Sequence, residues 1–173
     1  LGLVHRLDRP VSGVLVLART SKAASRLSAQ FREGTVQKRY LAVVQGRVDG
    51  PGETLRHHLA AKGDARGVTR VSDTAFSGSK PAELRYIVRG TRPDRSLLEV
   101  ELITGRRHQI RAQLARVGHP VWGDVKYGAR RQPEYSGIGL HARRLQLAHP
   151  VGGAPLTFEA PCPGDWPWPE GEE

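Results

Sequence analysis

The stretch His-Arg-Leu-Asp-Arg-Pro-Val-Ser-Gly (5–13) is followed at once by the apolar run Val-Leu-Val-Leu-Ala (14–18), which predicts a buried strand. The stretch places Asp8 between Arg6 and Arg9 on a turn that leads into this strand. Neighbouring cations favour the ionised form of a carboxylate, and an ionised Asp can act as a nucleophile. On this local chemistry alone, the favoured interpretation is an exposed ion pair, which stabilises a protein little.

The composition predicts a single domain over residues 1–173, because 38% of the 173 residues are hydrophobic and can form one core. No apolar run approaches the ~20 residues that span a bilayer, and no charged-then-apolar leader opens the chain, so we expect no membrane and a cytoplasmic protein. Cys162 stands alone, which excludes a disulfide scaffold and paired zinc-binding cysteines. The net charge of +10 points toward a nucleic-acid partner.

The residue pattern predicts an α+β fold. Helices are predicted at 20–33 and 106–117. Further strands are predicted at 37–48, 82–89, 96–103, 138–148 and 154–160. The range 49–80 has weak periodicity and is predicted as a variable insertion or hairpin that governs substrate choice, and 161–173 as an irregular tail. Because the turns between successive strands are short, a mostly antiparallel mixed sheet flanked by a few helices is favoured over a doubly wound parallel sheet.

Two further segments carry candidate functional residues. Tyr40 lies near the start of the strand 37–48, where an ordinary strand aromatic is the plain alternative. The segment Leu-Ile-Thr-Gly-Arg-Arg-His-Gln-Ile-Arg (102–111) places four basic side chains in the first turns of the predicted helix: Arg106, Arg107, His108 and Arg111. Helix starts favour negative charge, so arginines there indicate an anionic partner.

Three segments resemble, in order and spacing, the three motifs of RluA-type pseudouridine synthases: HRLD with its following SG, KRYLAVVQG (38–46) and LITGRRHQIR (102–111). The segments 118–128 and 140–163 resemble the same family, so the resemblance covers almost the whole chain. It implies a pseudouridine synthase catalytic fold, isomerisation of uridine in structured rRNA or tRNA, no metal or organic cofactor, and a monomer. Because family members usually begin with strands that precede the first motif, it also implies that the N-terminal strands are missing.

The resemblance implies three residues for the chemistry. Asp8 is the expected catalytic carboxylate, which attacks the sugar or assists departure of the base, much as a carboxylate does in retaining glycoside hydrolysis. Arg111 is expected to pair with Asp8 and to hold it ionised as a bidentate fork. Tyr40 is expected to pack against the target base and to assist in removing its C5 proton.

The resemblance also implies residues that bind the RNA. Arg6 is expected to enter the RNA stack in place of the target base, which must flip out to be reached. Arg106 and His108 are expected to contact backbone phosphate or to support the site. Leu102 or Ile103 is expected to pack under the flipped base.

Two other functions are compatible with parts of the sequence. The net charge of +10 fits a non-catalytic RNA-binding module derived from a truncated synthase. The carboxylate of Asp8 fits a glycosidase, but such an enzyme needs a second carboxylate. Glu99 and Glu101 lie on a predicted strand with no motif around them.

Overall fold

The computed structural model describes residues 1–133 and 135–168, and the described chain contains two α-helices and a large mixed sheet. The helices are α1 (Ser21–Glu33) and α2 (Gln109–Arg116), and a 3-10 helix spans Val125–Tyr127. The strands are β1 (Gly2–Leu3), β2 (Ser12–Gly13), β3 (Leu17–Ala18), β4 (Gln37–Gln45), β5 (Gly52–Ala60), β6 (Val71–Ser72), β7 (Ser79–Thr91), β8 (Arg95–Leu102), β9 (Leu140–Ala148) and β10 (Pro155–Glu159).

The sheet confirms the predicted α+β class. Its strands follow the order β10-β9-β4-β8-β7-β5-β6, and every adjacent pair in this order is antiparallel. β2 adds a short parallel pairing to β9, with Ser12 opposite His141 and Gly13 opposite Ala142. β1 and β3 form a separate two-stranded ribbon. This parallel pairing holds the stretch that contains Asp8 against β9, next to β4.

Both faces of the sheet are covered. On one face, Ile110 and Leu114 of α2 pack against the buried side chains Ala42, Val44, Leu98 and Val100. On the other face, Trp166 and Trp168 pack against Leu41, Val43 and Leu97. Successive residues of β4 therefore supply opposite cores, as the alternation of side chains along a strand requires.

The helix predicted at 20–33 is confirmed as α1. Thr20 accepts a hydrogen bond from the backbone N–H of Ala23 at 3.1 Å, and Gly34 ends the helix at φ +75°. These are the N-cap and C-terminal glycine that the sequence pattern requires. Leu27 is buried against the β1–β3 ribbon and the end of β9.

The buried strand predicted at 14–18 is wrong in extent and burial. Only Leu17 and Ala18 form a strand, and Leu15 and Leu17 are 47% and 43% exposed. Val14 and Val16 face the core instead. The segment lies in a two-stranded ribbon at the surface, so only one of its faces is covered.

The helix predicted at 106–117 starts three residues later, at Gln109. His108 has φ +50°, a left-handed conformation that a helix interior does not accept. The side chain of Gln109 accepts hydrogen bonds from the backbone N–H of Arg106 at 2.9 Å and from the Thr104 hydroxyl at 2.8 Å. These bonds stabilise a turn over 104–108 in place of the first helical turn, so Arg106 and His108 belong to a loop.

Much of the range 49–80 belongs to the main sheet, because β5 pairs antiparallel with β7 along its whole length, as in the predicted hairpin alternative. The buried positions of β5 are Leu55, His57 and Leu59, and the histidine hides their alternation in the sequence. His57 is accommodated because Gln113 donates to its Nδ1 at 2.9 Å. Residues 61–70 form the connecting loop between β5 and β6.

The irregular tail is predicted at 161–173. Residues 161–168 contain neither helix nor strand, although Trp166 and Trp168 are buried, and residues 169–173 lie outside the described part of the chain. No helix of the described residues is long and apolar enough to cross a membrane.

Candidate active site

A cavity of about 300 Å³ lies between the 5–11 loop, β4, and the segment 102–111. Seven of the eight predicted site residues line it: Arg6, Asp8, Tyr40, Leu102, Arg106, His108 and Arg111. Ile103 is not among the lining residues, and its side chain is 37% exposed. The structure therefore brings together residues that are about a hundred positions apart in the sequence.

The loop that carries Asp8 is fixed to the sheet by hydrogen bonds. Ser12 donates to Nδ1 of His141 at 2.8 Å, while Nε2 of His141 donates to the carbonyl of Ala160 at 3.1 Å. On the other side of Asp8, Nε2 of His5 accepts from the backbone N–H of Val16 at 2.9 Å. The position of Asp8 is thus set from both directions along the chain.

Gly13 allows the loop to lie this close to β9. Its φ is +118°, and a Cβ at this position would lie 2.3 Å from the carbonyl oxygen of Ala142. Only glycine meets both requirements, because it tolerates positive φ and has no side chain.

Arg111 links the carboxylate of Asp8 to a second, buried carboxylate. Its Nη1 donates to Asp8 at 3.2 Å, which agrees with the expected pairing. The bidentate fork, however, goes to Asp124, through Nε at 2.7 Å and Nη2 at 2.9 Å. The prediction that Arg111 makes a bidentate pair with Asp8 is therefore wrong. Two of its three nitrogen atoms donate to Asp124, and only one donates to Asp8.

The environment of Arg111 keeps the guanidinium charged. Burial opposes its charge, but the hydrogen bonds and the negative charge of Asp124, with a further contribution from Asp8, raise the pKa of Arg111 above its usual value. Asp124 is only 2% exposed, so the pair is shielded from water. A buried pair of this kind holds its geometry well, since breaking it would leave an unpaired charge in the interior.

His108 lies near Oδ1 of Asp8, whereas Arg111 donates to Oδ2. Its Nε2 lies 3.8 Å from Asp8, and its Nδ1 is hydrogen-bonded to the Tyr127 hydroxyl at 2.8 Å. Burial, together with the positive charges of Arg111 and other nearby cations, lowers the pKa of His108 to about 4 despite the charge of Asp8. His108 is therefore neutral at pH 7.

Tyr127 connects this histidine to the 61–70 loop and to Arg111. Its hydroxyl accepts from the backbone N–H of Thr69 at 2.9 Å, so its own proton is available for Nδ1 of His108. This arrangement favours the tautomer that carries its proton on Nε2, facing Asp8. The guanidinium of Arg111 lies over the Tyr127 ring, 5.1 Å from its centre.

Tyr40 and Lys38 share one face of β4, because they are two positions apart on a strand, and both line the cavity. Burial and the charge of Asp8 raise the pKa of Tyr40 to about 12, so the phenol keeps its proton at neutral pH. Burial lowers the pKa of Lys38. Arg6 is exposed at the cavity mouth, and Nε of Arg106 donates to the carbonyl of Pro81 at 3.0 Å.

Sequence reasoning missed three residues of this site, namely Lys38, Asp124 and Tyr127. Lys38 could have been predicted from the sequence, since it lies two positions before Tyr40 on the same strand and therefore on the same face. Asp124 and Tyr127 lie in the segment 118–128, whose resemblance to the family assigns no role to either residue. Nothing in the sequence shows that Asp124 is buried beside Arg111.

The arrangement favours chemistry by a held carboxylate on an anionic substrate. Asp8 accepts a hydrogen bond from the charged Arg111, and the neutral imidazole of His108 lies 3.8 Å from its other carboxylate oxygen. The cavity volume lies at the lower end of the range for small-ligand sites, and its lining combines apolar side chains such as Val11 and Leu102 with cations. It therefore fits a small ligand that carries negative charge.

Comparisons with known proteins agree with this geometry. Residues 1–116 match a family model described as RNA pseudouridylate synthase. The ribosomal large subunit pseudouridine synthase C of Vibrio cholerae serotype O1 is 36% identical over 167 residues, covering 93% of this chain and 51% of that protein. The tRNA pseudouridine synthase C of Salmonella typhi is 36% identical over 187 residues, covering 94% of this chain and 68% of that protein.

A solved structure, human RNA pseudouridylate synthase domain containing 1, superposes with a TM-score of 0.78 at 27% identity, covering 94% of this chain and 69% of that chain. The chain spans about half the length of several curated relatives that it matches. These likenesses confirm the family and the catalytic fold that the sequence motifs predict, while the roles of individual residues stay predictions. The chain belongs to the RNA pseudouridylate synthase family, as a member of its RluA type.

Proposed function

We propose that this protein isomerises uridine to pseudouridine in structured ribosomal or transfer RNA. The observation that carries the proposal is the contact of Asp8 with Arg111 and His108 inside a cavity of nucleoside size. Family membership supports it, as do relatives that are named as synthases for ribosomal large subunit RNA and for tRNA. The net charge of +10 suits a polyanionic substrate.

The reaction breaks the N1–C1′ bond of uridine and forms a C5–C1′ bond in its place. Asp8 attacks C1′ or stabilises the positive charge that develops there as the base departs. Arg111 and His108 hold the carboxylate toward the sugar, which removes the cost of orienting it during the reaction. Since C5 loses a proton and N1 gains one, the product is an isomer of the substrate.

The ring of Tyr40 is placed to pack against the flipped uracil. With a pKa of about 12, its phenol acts at neutral pH as a neutral hydroxyl and not as a phenolate. We assign Arg6 to the space that the uridine leaves in the RNA stack, because it is exposed at the mouth of the cavity. Leu102 lines the cavity and is assigned the contact under the base, in preference to Ile103.

Substituting Asp8→Asn tests the proposal, since it keeps the shape of the side chain and removes its charge. We expect tritium release from RNA containing 5-tritiated uridine to fall by at least ~1,000-fold, while RNA binding changes little. Asp49→Asn is the matched control, because Asp49 lies in an exposed ion pair with Arg47. Wild-type release by the Asp8 variant would contradict the proposal. Wild-type protein that binds RNA but releases no tritium would favour the non-catalytic binding module.

We further propose that the protein acts in the cytoplasm as a monomer and needs no metal or organic cofactor. We expect no cofactor because the isomerisation consumes no second substrate and transfers no electrons. For the absence of a metal, we expect tritium release to persist after extensive dialysis against EDTA. For the monomer, we expect sedimentation at the mass of a single chain during turnover.

A further inference from the structure

A second cavity, of about 460 Å³, lies next to the active-site cavity and shares part of its wall. His108 and Arg111 line both cavities. The second cavity is also lined by cations from three separate segments of the chain: Arg9, Arg107 and Lys126. None of its described lining residues is an Asp or a Glu. The cavity therefore concentrates positive charge beside the site where Asp8 is held.

Two of these cations are available for a ligand. Arg111 is committed to Asp124 and Asp8, and Nη1 of Arg107 donates to the carbonyl of Gly67 at 3.1 Å. Arg9 and Lys126 are exposed, and neither forms a salt bridge with any carboxylate in the described part of the chain. Converging cations without acidic partners repel one another, so an anion bound between them is stabilised.

Among the described carboxylates, Asp64 interacts electrostatically with Lys126 but forms no salt bridge with it. The charges of Asp64 and Lys126 interact, and this lowers the pKa of Asp64, but the backbone N–H groups of its own loop are the larger cause. Oδ1 of Asp64 accepts from the N–H of Arg66 at 2.9 Å and of Val68 at 2.8 Å. The carboxylate of Asp64 is therefore occupied in shaping the 61–70 loop, and the exposed Lys126, which lines the cavity, has no salt bridge to it.

We propose that the second cavity binds a phosphodiester group of the RNA strand, next to the nucleotide held in the active-site cavity, through Arg9 and Lys126. A nucleotide in the first cavity is covalently joined to its neighbours, and the wall of His108 and Arg111 shared by the two cavities brings the second cavity within reach of an adjoining phosphate. Phosphate contacts of this kind fix the register of a nucleic acid without reading its bases. The inference rests on the proposed function, because it takes RNA as the substrate.

The test compares two double variants of equal charge. Arg9→Gln with Lys126→Gln removes the proposed ligands, and Lys22→Gln with Arg32→Gln removes two exposed cations of α1 that line neither cavity. Each variant has a net charge of +8, two below the +10 of the wild type. The affinity for a short fluorescein-labelled RNA hairpin with a uridine-rich loop is measured by anisotropy from about 50 to 300 mM KCl.

We expect the cavity variant to bind at least ~10-fold more weakly at low salt and its slope of log K against log[KCl] to become shallower by about 0.7 to 1. The α1 variant should stay within about twofold of the wild type with an unchanged slope. Equal losses in the two variants would overturn the inference, because the cations would then act only through the total charge. Tritium release by the wild type is measured in parallel. Its absence would contradict the proposed function, while the binding comparison would still decide the phosphate site.

Discussion

Arg111 has a role at the residue scale that its pairing with Asp8 alone does not describe. It contacts Asp8 through one nitrogen and Asp124 through two, and its guanidinium lies over the ring of Tyr127. Three groups thus restrain one side chain, and only one of them is the carboxylate expected to react. We therefore expect the position of Arg111 beside Asp8 to depend on Asp124 and Tyr127, which do not line the active-site cavity.

Asp124→Asn tests this dependence. Asparagine cannot supply the second charge-assisted oxygen, so Arg111 is left partly unpaired in the interior. We expect a loss of about 3 kcal/mol in the free energy of unfolding and a roughly 100-fold lower single-turnover rate in protein that remains folded. Urea unfolding and tritium release measure the two effects.

Asp94→Asn is the control for this variant, because Asp94 makes a similar two-bond pair with Arg95 at the surface. Exposed pairs stabilise by about 0 to 1 kcal/mol, so this change should leave unfolding and turnover nearly unchanged. An Asp124 variant with the wild-type rate would show that the position of Arg111 does not need Asp124.

The pKa values of His108 and Tyr40 predict how the rate depends on pH. With values of about 4 and about 12, neither group titrates between about pH 6 and 8. Single-turnover rates at saturating enzyme should therefore show no step from either residue in this range. A step near pH 6.5 that disappears in His108→Asn would contradict the low pKa of His108.

The same lowered pKa affects stability. In the unfolded chain His108 takes up a proton near pH 6.5, whereas in the folded protein it does so only near pH 4. The unfolded state therefore binds more protons between these values, and the contribution of His108 to stability falls as the pH drops from about 6.5 to about 4. His108→Asn should reduce this loss in urea unfolding measured at pH 7 and pH 5.

At the scale of elements, the loop carrying Asp8 depends on its parallel contact with β9. Gly13→Ala would place a methyl group 2.3 Å from the carbonyl oxygen of Ala142, in a backbone conformation that alanine rarely adopts. We expect a loss of more than ~3 kcal/mol in unfolding free energy and a lower rate at temperatures where the variant is folded.

Gly50→Ala is the control that separates the cost of the positive φ from the cost of the close approach to β9. Gly50 also has positive φ, at +86°, but a Cβ there would meet no atom within 4 Å. Its cost should be only the conformational one, about 1 kcal/mol, with turnover unchanged. Equal effects at the two glycines would mean that the close approach to β9 is unimportant.

The elements also show where sequence reasoning succeeds and where it stops. The predictions of α1, β4, β9 and β10 hold because caps, glycines and alternating apolar residues are local signals. The range 49–80 could be predicted only as an insertion or hairpin, without the bounds of β5, because a histidine occupies one of the core positions of β5 and its partner Gln113 is distant in the sequence. The start of α2 is misplaced because the side chain of Gln109, not a standard cap, closes the preceding turn.

The candidate site also contains residues that the sequence predicts and residues that it does not. Asp8, Tyr40 and Arg111 lie in recognisable motifs, and the structure brings them to one cavity. The partner of the fork of Arg111 could not be read from the sequence, because an ion pair between residues 111 and 124 depends on how the intervening turn folds. A charge pattern along a chain predicts that partners exist, but not which partner is nearest.

At the scale of the whole molecule, the segment 161–168 covers the face of the sheet opposite α2. Trp168 is 5% exposed and fits over Gly90, where a Cβ would lie 2.7 Å from the indole ring. Trp168→Ala should cost about 3 to 5 kcal/mol in unfolding free energy. Because this face holds none of the cavity residues, the rate of the folded variant at low temperature should match that of the wild type.

Trp168→Phe is the matched change, since it keeps an aromatic ring in the same place and should lose much less stability. Thermal unfolding followed by circular dichroism compares the three proteins. A rate defect in Trp168→Ala that persists when the protein is fully folded would show that the two faces of the sheet are coupled.

The parallel pairing of β2 with β9 also affects when the site can form during synthesis of the polypeptide. Ser12 meets a partner that is 129 residues later in the chain, so the carboxylate of Asp8 cannot be held in place until β9 has left the ribosome. Contacts between distant segments form late and slowly in folding. The segment that carries Asp8 is therefore synthesised long before the strand that holds it, and the active-site cavity takes its final shape only after β9 has paired with β4.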